Sequence, residues 1–126
     1  MENNVQIQLG RYPSPEELKA VQPFLLRGDE VIFLAESRGK GIKTADVQIS
    51  GVIWEIKCPS GNSKQTITRQ LRRAIKQSPN IIIDSRFSKI KEKDFENQLK
   101  IDLRIHTSIA RLILITKQGK ILDLKK

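Results

Sequence analysis

A serine-glycine pair, Ser50-Gly51, separates two short stretches that alternate apolar and polar residues. These are 46–49 (D-V-Q-I) and 52–57 (V-I-W-E-I-K), each with the two-residue period of a half-buried strand. Gly51 supplies the positive φ that a tight hairpin turn needs. Counting outward from this turn sets Ile49 opposite Val52, Gln48 opposite Ile53, Val47 opposite Trp54 and Asp46 opposite Glu55. Side chains alternate between the two faces of a strand, so Lys57 shares a face with Glu55. Val47, Trp54 and Ile56 take the other face as core.

Two carboxylates therefore meet across the hairpin. Directly opposed Cβ atoms lie roughly 4.5–5.5 Å apart, and like charges there are destabilising. The pair needs a cation, either Lys57 or a bound divalent metal. Two carboxylates beside a lysine suit Mg²⁺, which takes few protein oxygens and completes its shell with water and phosphate. Mn²⁺ or Zn²⁺ are the alternatives. The same D-x8-E-x-K spacing also fits a simple ion pair on a solvated strand face.

The chain of 126 residues is long enough for one domain with its own core, and a single domain over 1–126 is expected. Its 23 Lys and Arg against 14 Asp and Glu give a net charge of +9, which favours a polyanionic partner: nucleic acid first, or an acidic inhibitor protein. A single cysteine, Cys58, excludes an internal disulfide, and no cysteine-histidine cluster has zinc-site spacing. Neither a membrane-spanning run nor a signal peptide is expected. A reducing cytoplasm is the expected site of action.

Along the chain, Val5, Ile7 and Leu9 alternate as a short edge strand would. Ser14-Pro15-Glu16-Glu17 starts a helix, with Ser14 as N-cap and Glu17 closing a capping box. Pro23 is expected to kink that helix or end it at Gln22. The run 30–35 reads as a buried strand. The loop 36–43 holds two glycines and three cations, a composition that suits phosphate or a mobile turn. Ser63 caps a second helix reaching about Gln77, with Ile67, Leu71, Ala74 and Ile75 on its apolar side. Its cations Arg69, Arg72, Arg73 and Lys76 lie mostly along one other side. Gln70 and Gln77 look toward the polar face of the hairpin. Ile81-Ile82-Ile83 is a buried strand closed by Asp84, parallel to 52–57 through a helical crossover. A third helix over 88–103 and a hairpin around Gln118-Gly119 finish the chain. The fold class is α/β (α+β), a central mixed sheet flanked by helices.

The order helix, strand, strand, strand, helix, strand over about 14–84, with Asp46 on the second strand and Glu55-Ile56-Lys57 on the third, resembles the core of the PD-(D/E)xK nuclease superfamily. The resemblance implies that Asp46 and Glu55 bind divalent metal and that Lys57 assists the attacking water. It also implies that a first-helix glutamate, Glu16 or Glu17, joins the site, and that Gln70 or Arg73 follows on the next helix. Ala45 stands where that pattern has proline. The run K-T-A-D-V-Q-I-S-G-V-I-W-E-I-K-C-P-S-G-N-S and the later Q-S-P-N-I-I-I-D resemble the C-terminal toxin domains of contact-dependent growth inhibition proteins. Those are mainly tRNA-cleaving nucleases held by a cognate immunity protein. The resemblance implies tRNA as the favoured substrate, with DNA as the alternative, and Lys43, Arg69, Gln70, Arg73 and Lys76 as contacts to it.

Two rival readings remain. A metal-independent ribonuclease of the barnase, EndoU, colicin or RelE type would use His106, the only histidine, as general acid or base. A non-catalytic nucleic-acid-binding module needs only the charge and the basic helix, and leaves the opposed Asp46 and Glu55 without a purpose. Cys58 reads as a small filler and Trp54 as core.

Overall fold

The computed structural model describes residues 4–35 and 45–126, so Lys43 and the basic loop 36–43 lie outside the described residues. Seven strands form one mixed sheet whose spatial order follows the chain. They are β1 (Val5–Ile7), β2 (Val31–Phe33), β3 (Val47–Ile49), β4 (Val52–Lys57), β5 (Asn80–Asp84), β6 (Arg111–Ile115) and β7 (Ile121–Lys125). Helices α1 (Pro15–Leu26), α2 (Lys64–Ile75) and α3 (Glu92–Ile105) join the parallel pairs β1/β2, β4/β5 and β5/β6 in turn. The remaining neighbours, β2/β3, β3/β4 and β6/β7, are antiparallel. The expected mixed sheet flanked by helices is the observed one.

Each face of the sheet has its own core. Ala20, Val21 and Phe24 of α1 pack with Phe33, Val47, Trp54, Ile56 and Ile82 on one side. Ile67 and Leu71 of α2 and Phe95 and Leu99 of α3 pack with Ile81, Ile83, Leu112 and Leu114 on the other. The consecutive isoleucines 81–83 of β5 feed both cores, which is why the middle of that strand does not alternate with polar residues.

The hairpin has the expected register, with Val47 opposite Trp54, Gln48 opposite Ile53 and Ile49 opposite Val52. Ser50 as well as Gly51 takes a positive φ, 44° and 86°, as a two-residue turn with both central residues left-handed requires. Ser50 is held there by its N–H donating to the Glu30 carbonyl at 2.8 Å and its hydroxyl donating to Asp29 Oδ1 at 2.8 Å.

Several boundaries differ from expectation. Helix α1 runs through Pro23 to Leu26. A proline at position i leaves the i−4 carbonyl without its helical donor, and here the Lys19 oxygen is taken by Arg86 Nη2 at 2.8 Å. A partner from outside the helix thus replaces the missing bond. Helix α2 does have Ser63 at its N-cap, but the serine makes no side-chain capping bond. Helix α3 begins at Glu92, not 88, because 85–91 is used elsewhere. Ser85–Phe87 forms a 3-10 turn capped by Asp84, and Lys89 N–H reaches back to the Gly61 carbonyl at 2.7 Å.

Candidate active site

Asp46 sits one residue before β3 and Glu55 lies within β4, so the turn chemistry of the hairpin brings them together. Asp46 Oδ2 accepts the Ile56 N–H at 2.9 Å, which turns its carboxylate toward the strand that carries Glu55. The Asp46 charge bears on Glu55 across the pair. Lys57 Nζ stands 3.4 Å from Glu55 Oε2. Glu55 Oε1 is buried and has no hydrogen-bond partner among the described residues.

Glu17 enters from the first turn of α1. Its capping box places it there: Glu17 N–H donates to Ser14 Oγ at 3.1 Å and Ser14 N–H donates to Glu17 Oε1 at 2.9 Å. Arg11 bridges the acids. Its Nη2 lies 2.5 Å from Glu17 Oε2 and 3.4 Å from Asp46 Oδ1. The same guanidinium stacks over the Phe33 ring, 5.5 Å from its centre. Glu17 and Lys57 line a pocket of about 350 Å³ together with Ser14, Ile56, Ser60 and Phe87.

The three acids have graded environments. Burial pushes Glu55 up to about 8, the Asp46 charge adds to the effect, and Lys57 offsets part of it. Burial also raises Asp46, helped by the Glu17 charge and opposed by the Ile56 N–H. For Glu17 burial acts upward too, but the Arg11 guanidinium and the Ser14 N–H outweigh it and hold the group below its usual range. Cys58, which also lines the pocket, is pushed up to about 12 by burial and by the Asp84 and Glu16 charges, so its thiol stays protonated at neutral pH. That agrees with a filler role.

Among the described residues no group of three or more His, Cys, Asp or Glu side chains is arranged to hold a metal ion. Glu17 commits both its oxygens to Arg11 and Ser14. What remains is the Asp46–Glu55 pair, with one buried oxygen of Glu55 lacking a partner among the described residues. Such an orphaned carboxylate oxygen fits a cation.

The match to the contact-dependent growth inhibition CdiA C-terminal domain covers residues 43–121, well over half of the chain. The chain belongs to that family. The matched span includes the hairpin, α2, α3 and Asp46, Glu55 and Lys57. No curated protein sequence matches the chain. Among solved structures, the CdiA-CT/CdiI toxin and immunity complex from Burkholderia pseudomallei is similar, with a TM-score of 0.69 at 18% identity. The alignment covers 97% of this chain and 98% of that one. At this identity the likeness concerns the fold, and it extends over the N-terminal part that the family match leaves out.

The other expected site residues fall in different places. Arg69, Arg73 and Lys76 are exposed on the outer side of α2, and Gln70 is half-buried. None of the four lines the pocket of Glu17 and Lys57. His106 is the C-cap of α3, toward the end of the sheet where β5 and β6 begin, whereas Lys57 lies where the parallel strand β4 ends, at the opposite end of the strands. Sequence reasoning missed Arg11, which lies in a stretch without periodicity or motif. Its contact to Asp46 is long-range, and its contact to Glu17 follows neither a helical nor a strand period, so neither leaves a local signal.

Proposed function

We propose that this chain is a metal-dependent endonuclease, a toxin of contact-dependent inhibition that hydrolyses phosphodiester bonds of nucleic acid, with tRNA as the favoured substrate. One observation carries the reading: the buried Glu55 Oε1 beside Asp46, which has no hydrogen-bond partner among the described residues. A carboxylate raised this far by burial and a like charge marks a place built for a cation. Asp46 and Glu55 would hold it. Two oxygen donors suit Mg²⁺, which keeps waters and binds substrate phosphate, and Mn²⁺ accepts the same ligands. Zn²⁺ is less suited, since it favours nitrogen and sulfur donors. When bound, such an ion supplies Lewis-acid stabilisation of charge on a phosphoryl oxygen.

Lys57 projects into the pocket with its ammonium beside Glu55. It can donate a hydrogen bond to an attacking water, orienting it, or to the oxygens of the pentacoordinate phosphorus as their charge grows. Arg11 keeps Glu17 ionised and steadies Asp46 against the strand. A helix glutamate, a strand aspartate and E-x-K on the next strand together support membership in the PD-(D/E)xK superfamily. The preference for tRNA rests on the resemblance to toxin domains that mainly cleave it. The solved neighbour is a toxin and immunity complex, and a net charge of +9 suits an acidic immunity protein as partner here too. Within the family's role, the domain acts in the cytoplasm of a target cell after delivery by a secreted toxin. No helix among the described residues is long and apolar enough to cross a membrane.

Incubation of the purified chain with total tRNA and with plasmid, in Mg²⁺ or in EDTA, tests this reading. Cleavage of tRNA is expected in Mg²⁺ only. Cleavage that persists in EDTA and disappears in His106→Ala would replace the proposal with the metal-independent one.

A further inference from the structure

A second polar cavity lies away from the carboxylates. It is a groove of about 400 Å³ between α2 and α3, lined by Lys64, Gln65, Thr68, Arg69, Arg72 and Gln98. Its base is ordered. Asp102 is 1% exposed, buried next to the core residues Phe95 and Leu99 of its own helix. Both its oxygens accept from Thr68 Oγ1, at 3.2 and 3.0 Å. Gln98 Nε2 donates to Asp102 Oδ1 at 3.2 Å and to Thr68 Oγ1 at 3.3 Å. The carboxylate is therefore covered, and the donors from Thr68 and Gln98 offset part of its charge toward the groove, where three cations outnumber it. The donors of Gln98 are spent, which fixes its amide and leaves Oε1 as an acceptor. Above this base stand three cations, Lys64, Arg69 and Arg72.

The groove is continuous with the candidate active site along the chain. Segment 58–63 leads from the end of β4, where Lys57 stands, to Lys64 at the start of α2. Ser63 makes no side-chain cap there, so the first-turn N–H groups of α2 add to the positive potential on that path.

We propose that the α2–α3 groove is a second contact for the nucleic-acid strand, taking the phosphodiester backbone beyond the cleavage site, with Gln98 Oε1 meeting an amino or hydroxyl donor of the adjoining nucleotide. The proposal rests on the nuclease reading for its ligand class, but its test is binding. Lys64, Arg69 and Arg72 neutralise phosphates, a contribution that falls steeply with salt. The fixed amide adds an orientation that a diffuse cationic surface lacks.

The experiment measures binding of total tRNA and of duplex DNA to the full chain carrying Glu55→Gln, which prevents cleavage, across a salt series. In that background Lys64→Ala/Arg72→Ala is compared with Lys93→Ala/Arg104→Ala, which removes the same charge from exposed sites outside the groove. The groove pair is expected to lose about tenfold or more in tRNA affinity at physiological salt, with the salt slope shallower by roughly 1.5. The control pair should change little. Loss for tRNA alone assigns the groove to RNA, and equal loss for DNA assigns it to phosphodiesters of either kind. Equal losses from both pairs, or none from the groove pair, overturn the proposal. Cleavage failing in Mg²⁺ while the groove pair still loses binding would remove the nuclease reading and leave the groove.

Discussion

Asp46 Oδ2 accepts the backbone N–H of Ile56 at 2.9 Å, so the strand that carries Glu55 also fixes the acid facing it. The bond holds two like charges in register. Alone, such an arrangement weakens the fold, because Glu55 must either keep a proton or sit charged beside Asp46 in a buried place. Its persistence in the hairpin is a reason to expect stability and activity to pull in opposite directions here.

Stability should show this directly. Glu55 is raised from an ordinary 4.5 to about 8, so the folded state binds the proton more tightly than the unfolded chain. Its contribution is complete below about 4.5 and is lost as pH rises toward 8. Glu55→Gln has no such loss. In metal-free buffer the variant should match the parent near pH 4.5 and melt higher at pH 8, each 1 kcal/mol appearing as about 4 °C. Thermal melts at the two pH values measure it. A variant less stable than the parent at pH 8 would make Glu55 a structural residue.

Activity should follow the opposite course. Asp46→Asn and Glu55→Gln, with shape retained and charge removed, should each lower the cleavage rate by about a hundredfold or more while circular dichroism stays native. Lys57→Met keeps the aliphatic stem and should lower kcat more than it changes substrate affinity, since the ammonium acts on charge that develops in the reaction. Single-turnover cleavage of tRNA separates the two effects.

Arg11 offers a different test. It pairs with Glu17 at 2.5 Å and with Asp46 at 3.4 Å, so Arg11→Ala leaves two half-buried acids without their cation. Both pKa values should rise, and the acid limb of the pH–rate profile should move to higher pH. Arg11→Lys restores charge without the two-pronged geometry and should restore the profile in part. An unchanged profile in Arg11→Ala would show that the arginine is only packing on Phe33.

The hairpin was legible in sequence because every determinant of it is local: alternation, a two-residue turn and a countable register. The capping box at Ser14 and the apolar run of β5 are local in the same sense. The Arg11–Asp46 contact and the Lys19–Arg86 bond were not legible, since each joins residues far apart in sequence. Pro23 is the clearest case. Its local rule predicts a kink or an end at Gln22; the helix instead continues to Leu26, with the freed Lys19 carbonyl taken by a guanidinium from the turn after β5. The α2 cations could be placed on one helix side by period, but which of them line the α2–α3 groove depends on where α3 packs, and the sequence alone does not give that.

Arg86 yields a stability prediction that is independent of function. It pairs with Asp84, whose side chain is fully buried, at 2.8 Å, while also serving the Lys19 carbonyl. Arg86→Leu strands a buried carboxylate and should cost about 3–5 kcal/mol. Removing the charge of both partners, in Asp84→Asn/Arg86→Leu, should recover part of that loss. Urea unfolding of the parent, of Arg86→Leu and Asp84→Asn singly and of the double variant gives the coupling, and a double variant no better than Arg86→Leu would place the cost in the Lys19 contact instead.

Metal binding and proton loss should be linked at Glu55. With the carboxyl near 8, much of the protein at pH 7 carries a proton where a cation would sit, and binding must expel it. Affinity for Mg²⁺ should therefore climb with pH up to about 8, approaching tenfold per pH unit on the acid side, and then level off. Calorimetric titration in buffers of different ionisation enthalpy would detect release of close to one proton at pH 7 and little at pH 9. In Glu55→Gln the proton release should vanish along with most of the affinity. If Mg²⁺ binds the variant as well as the parent, the cation sits elsewhere and Glu55 keeps its proton for another purpose.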